Sequence, residues 1–250
     1  MTKLHQRLRK ILEAGIRNFQ LISEGDRILI GISGGRDSLT LFELLSGTLI
    51  TTTNDFTLVP VHVDLGFQEN GERISEKLRR FFKERNRDLI VIKTDIGPLV
   101  HSDFNRKNPC FLCSRMRRHE IYKMATKMAC NKIAYGHHKD DIIETFLMNI
   151  FFGREISTMM PKQSVFKGKF HIIRPLVYIE EEWIKKFAVE HELPGFENPC
   201  PTAGNSKRAF IKKLLTDLEE DYPAVKKNVW HSLFHPKPDY LFNPKMKSGV

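Results

Sequence analysis

Cysteine is scarce, with four among 250 residues, far below the density of a disulfide-stapled scaffold. Glycine (15) and proline (12) are too few and too aperiodic for a fibrous or low-complexity protein. No stretch approaches the ~18–20 consecutive apolar residues of a membrane span. The longest candidate, 142–152, is interrupted by Glu144, Thr145 and Asn149. The first 19 residues lack the unbroken apolar run and small-residue cleavage site of a secretory signal. These absences predict a cytoplasmic protein with no membrane partner. The chain holds 41% hydrophobic residues, which excludes wholesale disorder, and its length lets a core form without staples.

Acid is outweighed by base: 40 Lys+Arg against 30 Asp+Glu give a formal charge of +10. Such a balance concerns partners more than fold, and polyanions such as nucleic acid are the natural class. The charge is clustered at Arg106-Lys107, Arg115 to Arg118, Lys167/Lys169, Lys207-Arg208 and Lys212-Lys213.

Leu4, Leu8, Ile11, Leu12, Ile16 and Phe19 recur at helical spacing with Lys3, Arg7, Lys10 and Arg17 between them, predicting an amphipathic helix over 1–24. Continuous apolar runs at 27–32, 57–64, 88–93 and 132–135 read as strands buried on both faces. Helical patterns at 39–47, 70–86, 112–129 and 140–151 alternate with them, which argues a parallel sheet covered by helices. A further strand is expected at 171–175, after an irregular basic stretch over 153–169. Then come a helix at 180–190, a Pro/Gly/Asn/Cys loop at 193–205, helices at 206–220 and 223–234, and a tail. The expected plan is a nucleotide-type α/β domain over 25–178, a mostly helical part over 179–235 and a tail over 236–250.

The first strand runs straight into Ser33-Gly34-Gly35-Arg36-Asp37-Ser38, with a helix behind. Two glycines let backbone approach a ligand closely, the serines offer hydroxyls, and a helix N-terminus offers free N–H groups and a positive dipole end. Asp37 implies a magnesium ion between it and the phosphates. An ordinary strand–turn–helix with an Asp or Ser cap has the same ingredients. After the fourth strand comes Gly136-His137-His138-Lys139-Asp140-Asp141, again opening a helix. In a parallel sheet, loops at the C-terminal strand ends share one crevice, so this loop should face the first.

Asn-Pro-Cys occurs twice, at Cys110 (followed by Cys113) and at Cys200. The prolines predict that each thiol sits in a rigid, non-helical turn. C-x-x-C suits zinc, an iron–sulfur cluster or a redox dithiol. A four-ligand zinc site would have to borrow His101, His119 or His191. Cys130, at helical spacing among apolar residues, reads as a small buried hydrophobe.

S-G-G-x-D-S after a buried first strand resembles the pyrophosphate loop of the PP-loop ATPases, and G-H-H-x-D-D-I resembles the second signature of their tRNA-modifying members. With C-x-x-C, the basic S-R-x-R-R and the later single cysteine, the chain from Gly25 to Trp230 resembles the tRNA 2-thiocytidine synthetase (TtcA) group, related to the tRNA 2-thiouridine and lysidine synthetases. The stretch from Cys200 to Arg208 departs from the bacterial thiocytidine pattern, so the resemblance implies 2-thiocytidine or another 2-thiopyrimidine. The implied fold is Rossmann-like. The implied ligand is ATP with Mg2+, held by Ser33, Gly34, Gly35, Arg36, Asp37, Ser38, Gly136 and Asp141, with His62 and Asp64 at the adenosine. Asp37 and Asp141 would be catalytic or metal-positioning acids. Cys110, Cys113 and Cys200 would hold a [4Fe–4S] cluster. Arg117 would be a cation near the adenylated base, or equally a tRNA-phosphate contact. The partners implied are tRNA and, as sulfur source, sulfide or a cysteine desulfurase or sulfur carrier; a homodimer is left open. Three other readings stand beside this one: a Cys113/Cys200 persulfide route, amide-type ligation with structural cysteines, and an ATP-binding iron–sulfur sensor or sulfide carrier that never touches RNA.

Overall fold

The computed structural model describes residues 2–47, 55–67, 73–102, 109–196, 200–201 and 206–241. Arg106-Lys107, the asparagines of both Asn-Pro-Cys tripeptides, most of the 193–205 loop and the end of the tail lie outside the described residues.

Six strands form one sheet: β1 (Asp26–Gly31), β2 (Phe56–Asp64), β3 (Ile90–Lys93), β4 (Lys132–Ala134), β5 (Lys162–Val165) and β6 (Phe170–Ile173). Their order is β3-β2-β1-β4-β6-β5, parallel except for the β5–β6 pair. The helices are α1 (Lys3–Asn18), α2 (Arg36–Ser46), α3 (Ile74–Glu84), α4 (Ile96–Val100), α5 (Pro109–Lys127), α6 (Lys139–Met148), α7 (Glu181–Glu190), α8 (Lys207–Asp221) and α9 (Val225–Ser232). Successive residues of β1 point to opposite covers. Ile28 and Ile30 pack with α1, α2, α3 and α7, through Leu8, Leu12, Leu41, Leu44, Phe82 and Phe187. Leu29 packs on the other face with α4 and α5, through Ile96, Val100, Ile121 and Ala125. A third cluster joins Ile142 and Ile143 of α6 to Ile211 and Leu215 of α8 and Trp230 of α9.

The chain steps from β1 outward through β2 and β3, then returns to lay β4, β6 and β5 on the other side of β1. Strand order therefore reverses between β1 and β4, which is where open α/β sheets bind ligands, outside the carboxyl ends of the strands. Both signature loops leave the sheet at that point.

Three expectations need correction. The stretch 153–169 is not wholly irregular: β5 pairs antiparallel with β6 around a turn in which Phe166, Lys167 and Gly168 all have positive φ. Helix α4, of five residues, had no sequence counterpart. The helix predicted over 140–151 ends at Met148 and continues as a π-helical turn, Asn149–Gly153. Among the described residues no helix is long and apolar enough to cross a membrane.

Candidate functional site

The first loop is held by its own side chains. Ser38 Oγ donates to the Gly35 carbonyl (2.9 Å) and accepts from the Ser33 amide (3.1 Å), while Ser33 Oγ accepts from the Gly35 amide (3.3 Å). Gly34 takes φ +92°, and a Cβ there would stand 3.0 Å from Ile74. Gly35 caps α2 without a side chain of its own, so first-turn amides face the crevice unshielded. Arg36 is exposed and lies against the backbone of Gly195. Burial raises the Asp37 carboxyl above its ordinary range; His138 opposes this, and Asp141 and Glu181 add to it.

The second loop is pressed against the first. A Cβ on Gly136 would lie 2.8 Å from the Asp37 carbonyl carbon and 2.9 Å from the Ser38 nitrogen. Its end is tied down as a helix cap, the His138 amide donating to Asp141 Oδ2 (3.1 Å). The His138 ring sits between two carboxylates, 3.4 Å from Asp141 and 3.7 Å from Asp140. Burial would lower its pKa, but these acids, with Asp37, raise it. Asp140 turns away to receive the Glu181 amide (2.8 Å), so it fastens α6 to α7. Burial opposes its ionisation, yet His138 and the Glu181 amide hold it well below the usual carboxylate range. Asp141 instead meets Arg208 of α8 at 2.6 Å, and the same guanidinium reaches Glu144 (3.4 Å) and Thr145 (3.0 Å).

His137 is pushed down to about 4, chiefly by burial. Its Nδ1, the Tyr135 hydroxyl and the Arg174 Nε are buried without a hydrogen-bond partner among the described residues. Burial also pushes Tyr135 up to about 12. His62, at the end of β2, is buried and donates through Nδ1 to the Ile32 carbonyl (2.8 Å), bracing the strand that feeds the first loop. Asp64 accepts from Ser75 (2.6 Å) and the Gly66 amide (2.9 Å). Burial would raise its pKa, but these bonds and Arg73 lower it.

The cysteines correct the sequence expectation. Pro109 is the first residue of α5, so Cys110 and Cys113 ride its first turns rather than a non-helical turn. Proline is at home there, because its missing N–H is one the helix would leave unpaired. Cys110, Cys113 and Arg117 follow at i, i+3 and i+7, hence along one side of the helix. The half-buried Cys113 thiol is raised, first by burial; Arg117 opposes, and Cys200 and Cys110 add to the rise. The three sulfurs and Arg117 thus share one electrostatic neighbourhood. The charge of Arg117 is also felt, as a minor influence, at His62 and Tyr135. Cys200 Sγ stands 3.4 Å from His101 Nε2. Among the described residues no three His, Cys, Asp or Glu side chains converge as a cage for a single metal ion. Cys130 is buried in the apolar cluster under α5.

Sequence reasoning did not single out Tyr135 or Arg174, and it noted His138 and Arg208 only within a motif and a basic pair, with no role of their own. Arg208 lay in a noted basic pair, but nothing in the spacing ties it to an acid 67 positions earlier.

Sheet order, switch point and abutting glycine loops define a PP-loop nucleotide-binding protein, and the description of the PP-loop domain matches residues 1–219. The chain is 34% identical over 249 residues to the tRNA-cytidine(32) 2-sulfurtransferase of Geobacter sulfurreducens, covering 97% of this chain and 95% of that one. It is 36% identical over 253 residues to the protein of the same name from Anaeromyxobacter sp. strain K, covering 97% and 84%. The chain belongs to this family of tRNA 2-sulfurtransferases. In fold it is similar to the U34-tRNA thiolase NcsA of Methanococcus maripaludis, solved with its [4Fe-4S] cluster: TM-score 0.71, 22% identity, 93% of this chain and 80% of that one.

Proposed function

We propose that this protein is an ATP-dependent tRNA 2-sulfurtransferase that adenylates the 2-carbonyl of a cytidine and replaces its oxygen with sulfur. The observation that carries the reading is the approach of Gly136 to the backbone of Asp37, which joins the two signature loops into one anion-receiving crevice. The first-turn amides of α2 and the exposed Ser33 hydroxyl hold the β and γ phosphates, and Ser38 holds the loop that presents them. Asp37 would hold Mg2+, which when bound would supply positive charge against the phosphates. Asp141, oriented by Arg208 and the His138 amide, serves at the α-phosphate. His62 and Asp64 shape the adenosine end through the backbone they brace.

Transfer of AMP to the base oxygen forms a C–O–P linkage and releases pyrophosphate, whose charge the loop amides stabilise. Sulfide then attacks the same carbon and AMP leaves with the oxygen. Arg117 stabilises charge at the adenylated base. Cys110 and Cys113 lie along one side of α5 and Cys200 bears on Cys113, a thiolate set whose chemistry suits iron–sulfur ligation, so Cys110, Cys113 and Cys200 would hold a [4Fe–4S] cluster. When bound, a cluster with three protein thiolates supplies an iron open to sulfide. The region 25–178 carries the nucleotide, and the following helical region completes the site with Cys200 and Arg208. Sulfide or a cysteine desulfurase or carrier delivers the sulfur.

Mass spectrometry of tRNA nucleosides from cells lacking the protein tests the reading. Loss of 2-thiocytidine is expected; an unchanged set of thiolated nucleosides would refute it.

A further inference from the structure

The π-helical turn Asn149–Gly153 closes α6, and Ile150, Phe151 and Phe152 all come to the surface. Here the turn is pinned. Arg154 closes it in the left-handed region (φ 58°), and the Asn149 side-chain amide donates to the Ser157 carbonyl and hydroxyl (2.9 and 3.0 Å). Phe152 is 42% and Phe210 of α8 56% exposed, with ring centroids 6.1 Å apart and an interplanar angle of 69°. Phe151 stands 6.3 Å from Phe152 on its other side. The Lys207 ammonium lies 5.0 Å from the Phe152 ring centroid. Lys207 and Arg154 make no ion pair among the described residues, while Glu155 is occupied by the Ser157 hydroxyl (3.1 Å). The next residue of α8, Arg208, grips Asp141, so the aromatic platform continues directly from the crevice.

We propose that Phe151, Phe152 and Phe210, with Lys207 and Arg154, form a stacking platform for unpaired bases of an RNA loop. This rests on the tRNA-modifying reading above. RNA is read mainly at single-stranded loops, by bases splayed onto aromatic rings beside cations that neutralise phosphate. The cores of protein–protein interfaces are instead depleted in lysine, so a free ammonium above the central ring favours RNA over a second protein chain. A pinned π-turn gives rigid rings, which suits stacking: little side-chain freedom remains to be lost on binding.

The test uses the full chain and an unmodified transcribed tRNA, with binding followed by fluorescence anisotropy and folding by thermal melting and ATP affinity. Phe152→Ala and Phe152→Leu should each weaken tRNA binding about 10-fold, and Phe152→Tyr should restore it, since leucine keeps the apolar contact but not the ring. Lys207→Gln should lower the slope of log affinity against log salt by about one. Wild-type affinity in Phe152→Leu would overturn the platform. So would light scattering that shows a wild-type dimer and a Phe152→Leu monomer, which would make the patch a self-association surface. A wild-type protein that binds no tRNA would remove the sulfurtransferase reading as well. A wild type that thiolates tRNA, beside a Phe152→Leu variant that binds it equally well, would remove the platform alone.

Discussion

Replacing Gly136 by alanine places a methyl group 2.8 Å from the Asp37 carbonyl carbon and 2.9 Å from both the Asp37 oxygen and the Ser38 nitrogen. These are backbone atoms at the start of a helix and cannot swing aside. Ordinary carbon–carbon contact needs about 3.5 Å, so the loops must part by roughly 0.7 Å. Overpacking of this kind costs about 1–3 kcal/mol, or a melting temperature lower by roughly 3–10 °C in a chain of this size. A displacement approaching 1 Å between reacting groups costs about 100-fold in rate, so AMP formation should fall by about that factor. Gly35→Ala provides the contrast. Its φ is −76° and the nearest atom to a new Cβ is Ser33 Oγ at 3.5 Å, so melting should stay within about 1 kcal/mol of wild type. If phosphate packs on that bare backbone, ATP affinity in isothermal calorimetry should nevertheless drop at least tenfold, as estimated from the loss of one charge-assisted hydrogen bond, about 1.5–3 kcal/mol. Wild-type melting and turnover in Gly136→Ala would refute the argument that the loops act as one body. Unchanged ATP affinity in Gly35→Ala would refute the close approach of phosphate.

Asp37→Ala should keep the fold and lose conversion of ATP to AMP and pyrophosphate, checked by chromatography of the nucleotides; ADP as product would overturn the phosphate chemistry altogether. Alanine at Cys110, Cys113 or Cys200 should remove iron and tRNA thiolation together while ATP binding survives. Cys130→Ala should keep both, with a modest loss of stability from its smaller buried side chain, measured by urea unfolding and anaerobic iron assay. His137 has a folded pKa of about 4 against 6.5 when unfolded, so the unfolded chain binds the extra proton between those values. Stability present above pH 6.5 should therefore be lost as pH falls through 4, by up to about 3 kcal/mol. His138 is shifted the other way, so its contribution is complete below pH 6.5 and lost as pH rises through its raised pKa. Urea unfolding of His137→Gln should show a flatter profile between pH 6.5 and 4 than wild type; superimposable profiles would contradict the assignment.

The strands of the parallel sheet were legible because each carries an apolar run, and at the centre of the sheet that run is buried on both faces, as in Ile28, Leu29 and Ile30. β5 escaped notice because Lys-Gln-Ser-Val carries no such run, whereas β3, at the other edge, is announced by Ile90-Val91-Ile92. Helix α4 is too short for any periodicity to declare itself. Pro109 was read as a helix breaker although the same ring geometry makes it a good first residue. Of the candidate site, the motif residues could be found because a phosphate loop requires local spacing. Arg208 could not, because its contact with Asp141 is made by folding and leaves no trace in neighbouring letters.

Helix α5 carries Cys110, Cys113 and Arg117 on one rigid rod. Their mutual placement is then a matter of phase, since each residue turns the rod by about 100°. A single alanine inserted after Cys113 would leave every one of these side chains in the chain, in order, and the helix intact. It would also swing Arg117 about a quarter-turn out of the row it now shares with Cys110 and Cys113. Drift in the length of this segment should therefore be far less tolerable than drift in its composition, the reverse of what holds for a surface loop.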